Sequence, residues 1–106
     1  MAKHVFVVLT NPTADKEAEY NRWYDTVHLP DVCAIPGITS ARRFKLNSAE
    51  GAHRYLALYE IETDDIKSVV DEIRARVGTE KMILSAALDT RTVSATTFEQ
   101  ISAWPR

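Results

Sequence analysis

The chain has 106 residues, the size of one modest domain, with 45% hydrophobic and 26% charged residues. Its net charge of −2 comes from acids and bases mixed along the sequence, which argues against nucleic acid as a partner, because phosphate binding needs a clustered basic face. The one cysteine, Cys33, allows no internal disulfide and suits a reducing cytoplasm, and no apolar run approaches the ~20 residues of a membrane span.

The sequence opens at once on a strand, residues 5–10 (VFVVLT), rich in β-branched and aromatic side chains. The leading segment is too short and too β-branched for a signal peptide. Asn11-Pro12-Thr13 stops the strand, and Thr13 or Asp15 offers a helix cap. The helix that follows carries Tyr20, Trp23, Tyr24 and Val27 at i, i+3, i+4 and i+7, one face of a 3.6-residue period. Pro30 disfavours the α conformation at Leu29, so the helix is expected to end near His28. Pro30 then suits the first turn of a short second helix reaching about Ala34.

Pro36-Gly37 marks a turn, and residues 38–46 (ITSARRFKL) read as a second strand. A polar loop leads to the third strand, residues 54–62 (RYLALYEIE), which should pair with the second as an antiparallel hairpin. Asp64 and Asp65 open another helix, where negative charge meets the positive dipole end. Its stripe is Ile66, Val69, Val70, Ile73 and Val77, with Arg74 and Arg76 in the last turn and Gly78 as cap. Residues 79–88 are expected to form a short irregular helix. Residues 92–103 (TVSATTFEQISA) read as a long last strand.

The order β-α-β-β-α-β is the ferredoxin-like arrangement, an α+β protomer with an antiparallel sheet and helices on one face. Residues 1–106 are read as this one domain. The other face of the sheet would carry Phe, Val, Tyr and Leu with no helix left to cover it. Pairing two such sheets from two copies would bury it, so a homodimer is expected.

The segments W-Y-D-x-V-H-L-P-D, P-G-I-T-S-A-R-R-F and R-Y-L-A-L-Y-E resemble the dimeric α/β-barrel superfamily, and within it EthD-like proteins. The likeness runs from Val5 to about Glu62, and beyond that rests mainly on topology. It implies a homodimer whose two sheets enclose a barrel, with a pocket in each protomer between the sheet and the first-helix region. Members of that superfamily include cyclases, isomerases, lyases of aromatic catabolism, monooxygenases without conventional cofactors and haem-degrading enzymes. The fold therefore does not choose a reaction.

His28 is the leading candidate for chemistry, because imidazole exchanges protons near neutral pH. Asp31 stands near enough in sequence to orient the ring or favour its protonated form. The competing reading is that His28 only bonds helix-end carbonyls. Tyr24 lies one turn before His28, so the two side chains can meet. Trp23 points about 100° away from Tyr24, so one of the pair anchors the core and the other lies nearer the pocket edge. Tyr55 and Tyr59 share a face of the third strand, separated by Ala57. They are assigned to the pocket side, because Leu56 and Leu58 on the other face look more like core. Arg43 is a candidate to neutralise an anionic substrate, with pairing of Arg42 or Arg43 to Glu60 as the plainer role. Phe6, on the first strand, joins Trp23, Asp31, Tyr55 and Arg43 as a residue expected to meet substrate. Cys33 reads as a small buried residue and His53 as an exposed loop residue.

No HxH, HExxH or Cys/His cluster is present, and His28 with Asp31 alone would hold a metal poorly. Neither G-x-G-x-x-G nor a P-loop occurs, so no cofactor is expected. Together with the resemblance, these residues lead to the expectation of a cofactor-independent lyase, isomerase or cyclase acting on an aromatic or polyketide-like metabolite. His28 would move the proton, while the phenols of Tyr24, Tyr55 or Tyr59 stabilise the oxyanion. The alternatives are a non-catalytic ligand-binding protein of a degradation pathway and a haem-dependent or cofactor-free oxygenase.

Overall fold

The computed structural model describes residues 1–105. Four strands, β1 (Ala2–Thr10), β2 (Ile38–Lys45), β3 (Tyr55–Thr63) and β4 (Ser94–Glu99), form one antiparallel sheet in the order β2-β3-β1-β4. The helices α1 (Glu17–Trp23), α2 (Leu29–Cys33) and α3 (Ile66–Arg76) lie on one face of it. This is the ferredoxin-like protomer.

Strand alternation decides what each face carries. In the β1–β3 register Phe6 stands opposite Tyr59, Val8 opposite Ala57 and Thr10 opposite Tyr55. Val8, Thr10, Tyr55, Ala57 and Tyr59 are buried beneath the helices. The intervening Val5, Val7, Leu9, Leu56 and Leu58 look out from the open face and are only half-buried. The tyrosines of β3 therefore belong to the helix-side core, and the leucines do not.

The helical segment departs from expectation at Pro30. Leu29 keeps an α conformation (φ −57°, ψ −47°), and the chain runs from α1 into α2 through a π-helical turn, Tyr24–His28. A proline lacks an N–H and its ring crowds the carbonyl four residues earlier, here that of Thr26. Widening the helix by one residue relieves that crowding: Leu29 N–H bonds the carbonyl of Tyr24, five residues back. The extra residue also shifts the inward stripe, which becomes Tyr20, Tyr24, His28 and Val32. Val27, expected inward, is 38% exposed.

Other differences have local causes. Neither Thr13 nor Asp15 caps α1, whose cap position is Lys16 with no side-chain bond. Thr13 is instead tied by its N–H to the Ala87 carbonyl at 2.7 Å. Residues 79–88 form turns rather than a helix. Thr79 Oγ1 donates to the Arg76 carbonyl at 2.6 Å and accepts from Lys81 N–H, and Ser85 Oγ accepts from Ala87 N–H, bonds that compete with helical ones. This segment still fills the core through Met82, Ala87 and Leu88. β4 is half the expected length because its partner β1 begins at Ala2, and the last bond between them joins Gln100 N–H to the Lys3 carbonyl. Beyond it Ile101 and Trp104 are each 90% exposed. At α3 the expectation holds: Asp65 accepts from Ser68 N–H as N-cap, and Gly78 takes the left-handed conformation (φ 80°) that ends the run.

Candidate functional site

A cavity of about 470 Å³ lies between the sheet and the helices, within the range of roughly 300–1,000 Å³ that small-molecule sites occupy. Most of its wall is apolar, from Phe6 and Val8 of β1, Val70 and Ile73 of α3, and Met82, Leu84 and Leu88 of the following turns. Its polar groups include His28 and Tyr24 from the π-helical turn, Thr10 from β1, Thr97 from β4 and Arg74 from α3.

His28 owes its inward position to the extra residue of the π-helical turn. Its ring stacks on Trp23, with centroids 4.6 Å apart at 26°, and meets Tyr24 edge-on at 5.0 Å and 89°. Its Nδ1 is buried and has no hydrogen-bond partner. Desolvation pushes its pKa down to about 4, so the imidazole is neutral at pH 7. Asp31 neither bonds the ring nor lines the cavity. The downward shift is opposite to what a carboxylate partner would produce.

Trp23 is 8% exposed, does not line the cavity, and donates from Nε1 to the Ile83 carbonyl at 3.0 Å. It thereby fastens the helix to the 79–88 segment while presenting its ring face to His28. Tyr24 is buried, and burial followed by the neighbouring Tyr20 raises its phenol to about 12. Tyr59 lies behind the cavity wall, its ring 5.6 Å from Phe6, and its hydroxyl is buried without a partner. Burial, then Tyr24, drives its pKa far above the ordinary phenol range. Both phenols are protonated at any physiological pH.

Arg43 and Tyr55 belong to a separate network outside the cavity. The Arg43 guanidinium sits 4.5 Å from the Tyr24 ring centre, 5.3 Å from Tyr55 and 5.4 Å from Tyr20. Its nitrogens donate to Asp25 and Asn21, each at 2.8 Å. The Tyr55 hydroxyl donates to Glu17, and this bond chiefly lowers the Glu17 pKa. Arg42, on the open face, is the arginine that pairs with Glu60, at 3.7 Å. His53 is half-buried rather than exposed, its Nε2 2.7 Å from the Thr92 carbonyl. Cys33 is half-buried, and burial raises its thiol pKa.

Two features escaped the sequence. The buried Thr10–Tyr20 hydrogen bond joins β1 to α1, and nothing in the spacing announces it. Arg74 lines the cavity, and its position four residues after Val70 was the available signal, because such pairs share a helix face. Among the described residues, no group of three or more His, Cys, Asp or Glu stands ready to hold a metal.

No protein-family model matches the sequence, and no curated protein resembles it. Solved structures do resemble it in three dimensions. A proposed monooxygenase from Shewanella loihica superposes with a TM-score of 0.66 at 13% identity, covering 96% of this chain and 97% of that one. The chain shares its ferredoxin-like α+β fold with that structure. A MhuD variant with two manganese protoporphyrin IX per active site shares this fold with a TM-score of 0.64 at 16% identity, covering 94% of this chain and 96% of that one. An EthD-family protein from Bacillus halodurans shares it with a TM-score of 0.55 at 15% identity, covering 95% and 100%. At such identities the fold is what these proteins have in common.

Proposed function

We propose that the protein is a small enzyme acting on an aromatic or polyketide-like metabolite, with proton transfer at His28 as its first step. The observation that carries this reading is the His28 imidazole in the wall of an apolar cavity, held neutral by burial and with its Nδ1 unpartnered. A buried polar atom without a partner costs free energy, and such atoms in native folds are often reserved for a ligand or water.

The neutral imidazole is a weak base in this apolar wall. A substrate that develops an oxyanion beside it would raise its pKa, because opposite charge favours the protonated ring. The face of Trp23 stabilises the resulting imidazolium further. Tyr24, held protonated, donates to the oxyanion rather than competing for the proton. Tyr59 is a candidate second donor, its buried hydroxyl being free of any other partner. A lyase, isomerase or cyclase each begins in this way. A monooxygenase, as the Shewanella protein is described, would in a cofactor-free form begin with the same deprotonation and then require oxygen.

Haem fits these residues poorly. A metal-bound histidine normally has its second ring nitrogen held by a carboxylate or carbonyl, whereas His28 Nδ1 has no partner. Arg74 is the sole lysine or arginine in the cavity wall among the described residues, against two propionates. The remaining features of the proposal are a single-domain chain, a homodimer formed through the open sheet face, and a cytoplasmic setting suited to the lone Cys33.

The deciding experiment follows exchange of acidic C–H protons for deuterium by NMR, across a panel of hydroxylated aromatic and β-dicarbonyl compounds. Exchange catalysed by the native protein and lost in His28→Gln supports the proposal. Full retention in both His28→Gln and His28→Ala sinks the proton-transfer role. Binding without exchange supports the ligand-binding alternative.

A further inference from the structure

We infer that the cavity selects ligands bearing a carboxylate or similar planar anion, which Arg74 binds. This rests on the reading of the cavity as the ligand site. Arg74 lies in the last turn of α3 and contributes to the cavity wall. The neighbouring cations of α3 are committed: Arg76 binds Glu72 at 2.8 Å and Lys67 binds Asp71 at 2.7 Å. Arg74 has no acidic partner among the described residues, and no acidic side chain lines the cavity.

The site thus combines an apolar interior with one wall residue, the exposed Arg74, whose guanidinium is uncommitted. A guanidinium presents parallel N–H donors that match a carboxylate in two-point fashion. Being in contact with water, it can receive an anion without the large penalty of burying an unpaired charge. A wholly neutral ligand would leave this group unused, and a cationic one would be repelled by it. Because Arg74 and His28 stand on different helices but share one cavity, the anion fixes one group of the ligand while another is offered to the imidazole.

The test compares 2-naphthoate with 2-naphthamide, two flat molecules of nearly equal shape that differ in charge, by calorimetric or NMR titration at low ionic strength. Naphthoate should bind about fivefold more tightly, the scale of a partly hydrated two-point ion pair. Added salt should narrow the gap. Arg74→Gln should bring the ratio to about one, while Arg76→Gln and His28→Gln preserve it. Equal affinities in the native protein, or a preference surviving Arg74→Gln, overturn the anion site and leave the cavity reading intact. A preference lost in His28→Gln instead would move the anion to the imidazole and likewise overturn it. If neither compound binds, the cavity reading falls together with this one.

Discussion

The imidazole of His28 is clasped between two aromatic rings, stacked on Trp23 at 4.6 Å and met edge-on by Tyr24 at 5.0 Å. Those contacts exclude water from one side of the ring and supply no acceptor for its Nδ1. The neutral form is therefore favoured in the fold, and the consequence is a pH dependence of stability.

The folded pKa of His28 is about 4, against 6.5 for the free side chain. Between these values the unfolded chain binds the proton and the folded chain does not, so stability falls as pH drops from 6.5 towards 4. The full shift corresponds to about 3 kcal/mol. His28→Gln should remove this contribution, leaving a shallower loss of stability over the same window. Urea denaturation at stepped pH checks the slope, and the imidazole carbon-bound proton shifts in NMR check the pKa directly. A His28 titrating near 6.5 would show that the ring is solvated.

The two phenols at the sheet–helix boundary should respond oppositely to loss of their oxygen. Tyr59 has a buried hydroxyl with no partner, so Tyr59→Phe should be neutral or stabilising, by up to about 1 kcal/mol. Tyr20 shares a buried hydrogen bond with Thr10. Tyr20→Phe leaves the threonine hydroxyl unpaired and should cost about 1–3 kcal/mol. Chemical denaturation separates the two cases. If Tyr59→Phe also abolishes substrate turnover while retaining stability, its hydroxyl serves the reaction.

Element order and strand identity were legible because strand alternation and the α3 stripe are simple periods. The α3 cap was legible too, since Asp65 sits where a carboxylate is useful. Positions within the first helix were not. A period of 3.6 placed Val27 inward, and the π-helical turn forced by Pro30 put His28 there instead. Thus His28 was a sound candidate on chemical grounds, while its reason for facing the cavity lay in backbone hydrogen bonding that side-chain patterns do not encode. Leu56 and Leu58 looked like core on hydropathy alone, yet the helix-side layer is built from Tyr20, Tyr24, Tyr55 and Tyr59. The contact of Arg43 with three of those rings was also hidden. Its partners lie about 20 residues away on a helix, a pairing that only the fold brings about.

Arg43 should therefore be a stability residue. Its side chain is 13% exposed, touches the faces of three tyrosines, and bonds Asp25 and Asn21. Lysine keeps the charge but loses the planar stacking and the forked donors. Arg43→Lys should cost about 1–2 kcal/mol, reduced from the buried-pair scale because Asp25 is largely hydrated. The measurement is a shift in urea midpoint at unchanged slope. The Tyr24 ring signals should move as well, since the guanidinium lies 4.5 Å from that ring's centre. A loss confined to ligand binding, with stability intact, would show that Arg43 serves the site instead.

The open sheet face tests the dimer. Val5, Val7, Leu9, Leu56 and Leu58 form its half-buried centre, with Phe44 47% exposed and Phe98 56% exposed at opposite edge strands. A contiguous apolar surface of this kind is rare on monomers and marks an interaction face. Leu58 pairs with Val7 on one side and Arg42 on the other, so its side chain sits near the middle of the patch. Leu58→Glu would place a carboxylate where a second sheet must exclude water, a desolvation cost of several kcal/mol per copy. In an isolated protomer the same carboxylate would remain hydrated beside Arg42, so the fold should survive. Light scattering at micromolar concentration should then give a dimer mass for the native chain and a monomer mass for Leu58→Glu, with unchanged far-UV circular dichroism. A monomeric native chain would remove the dimer. A variant that stays dimeric would move the interface off this face.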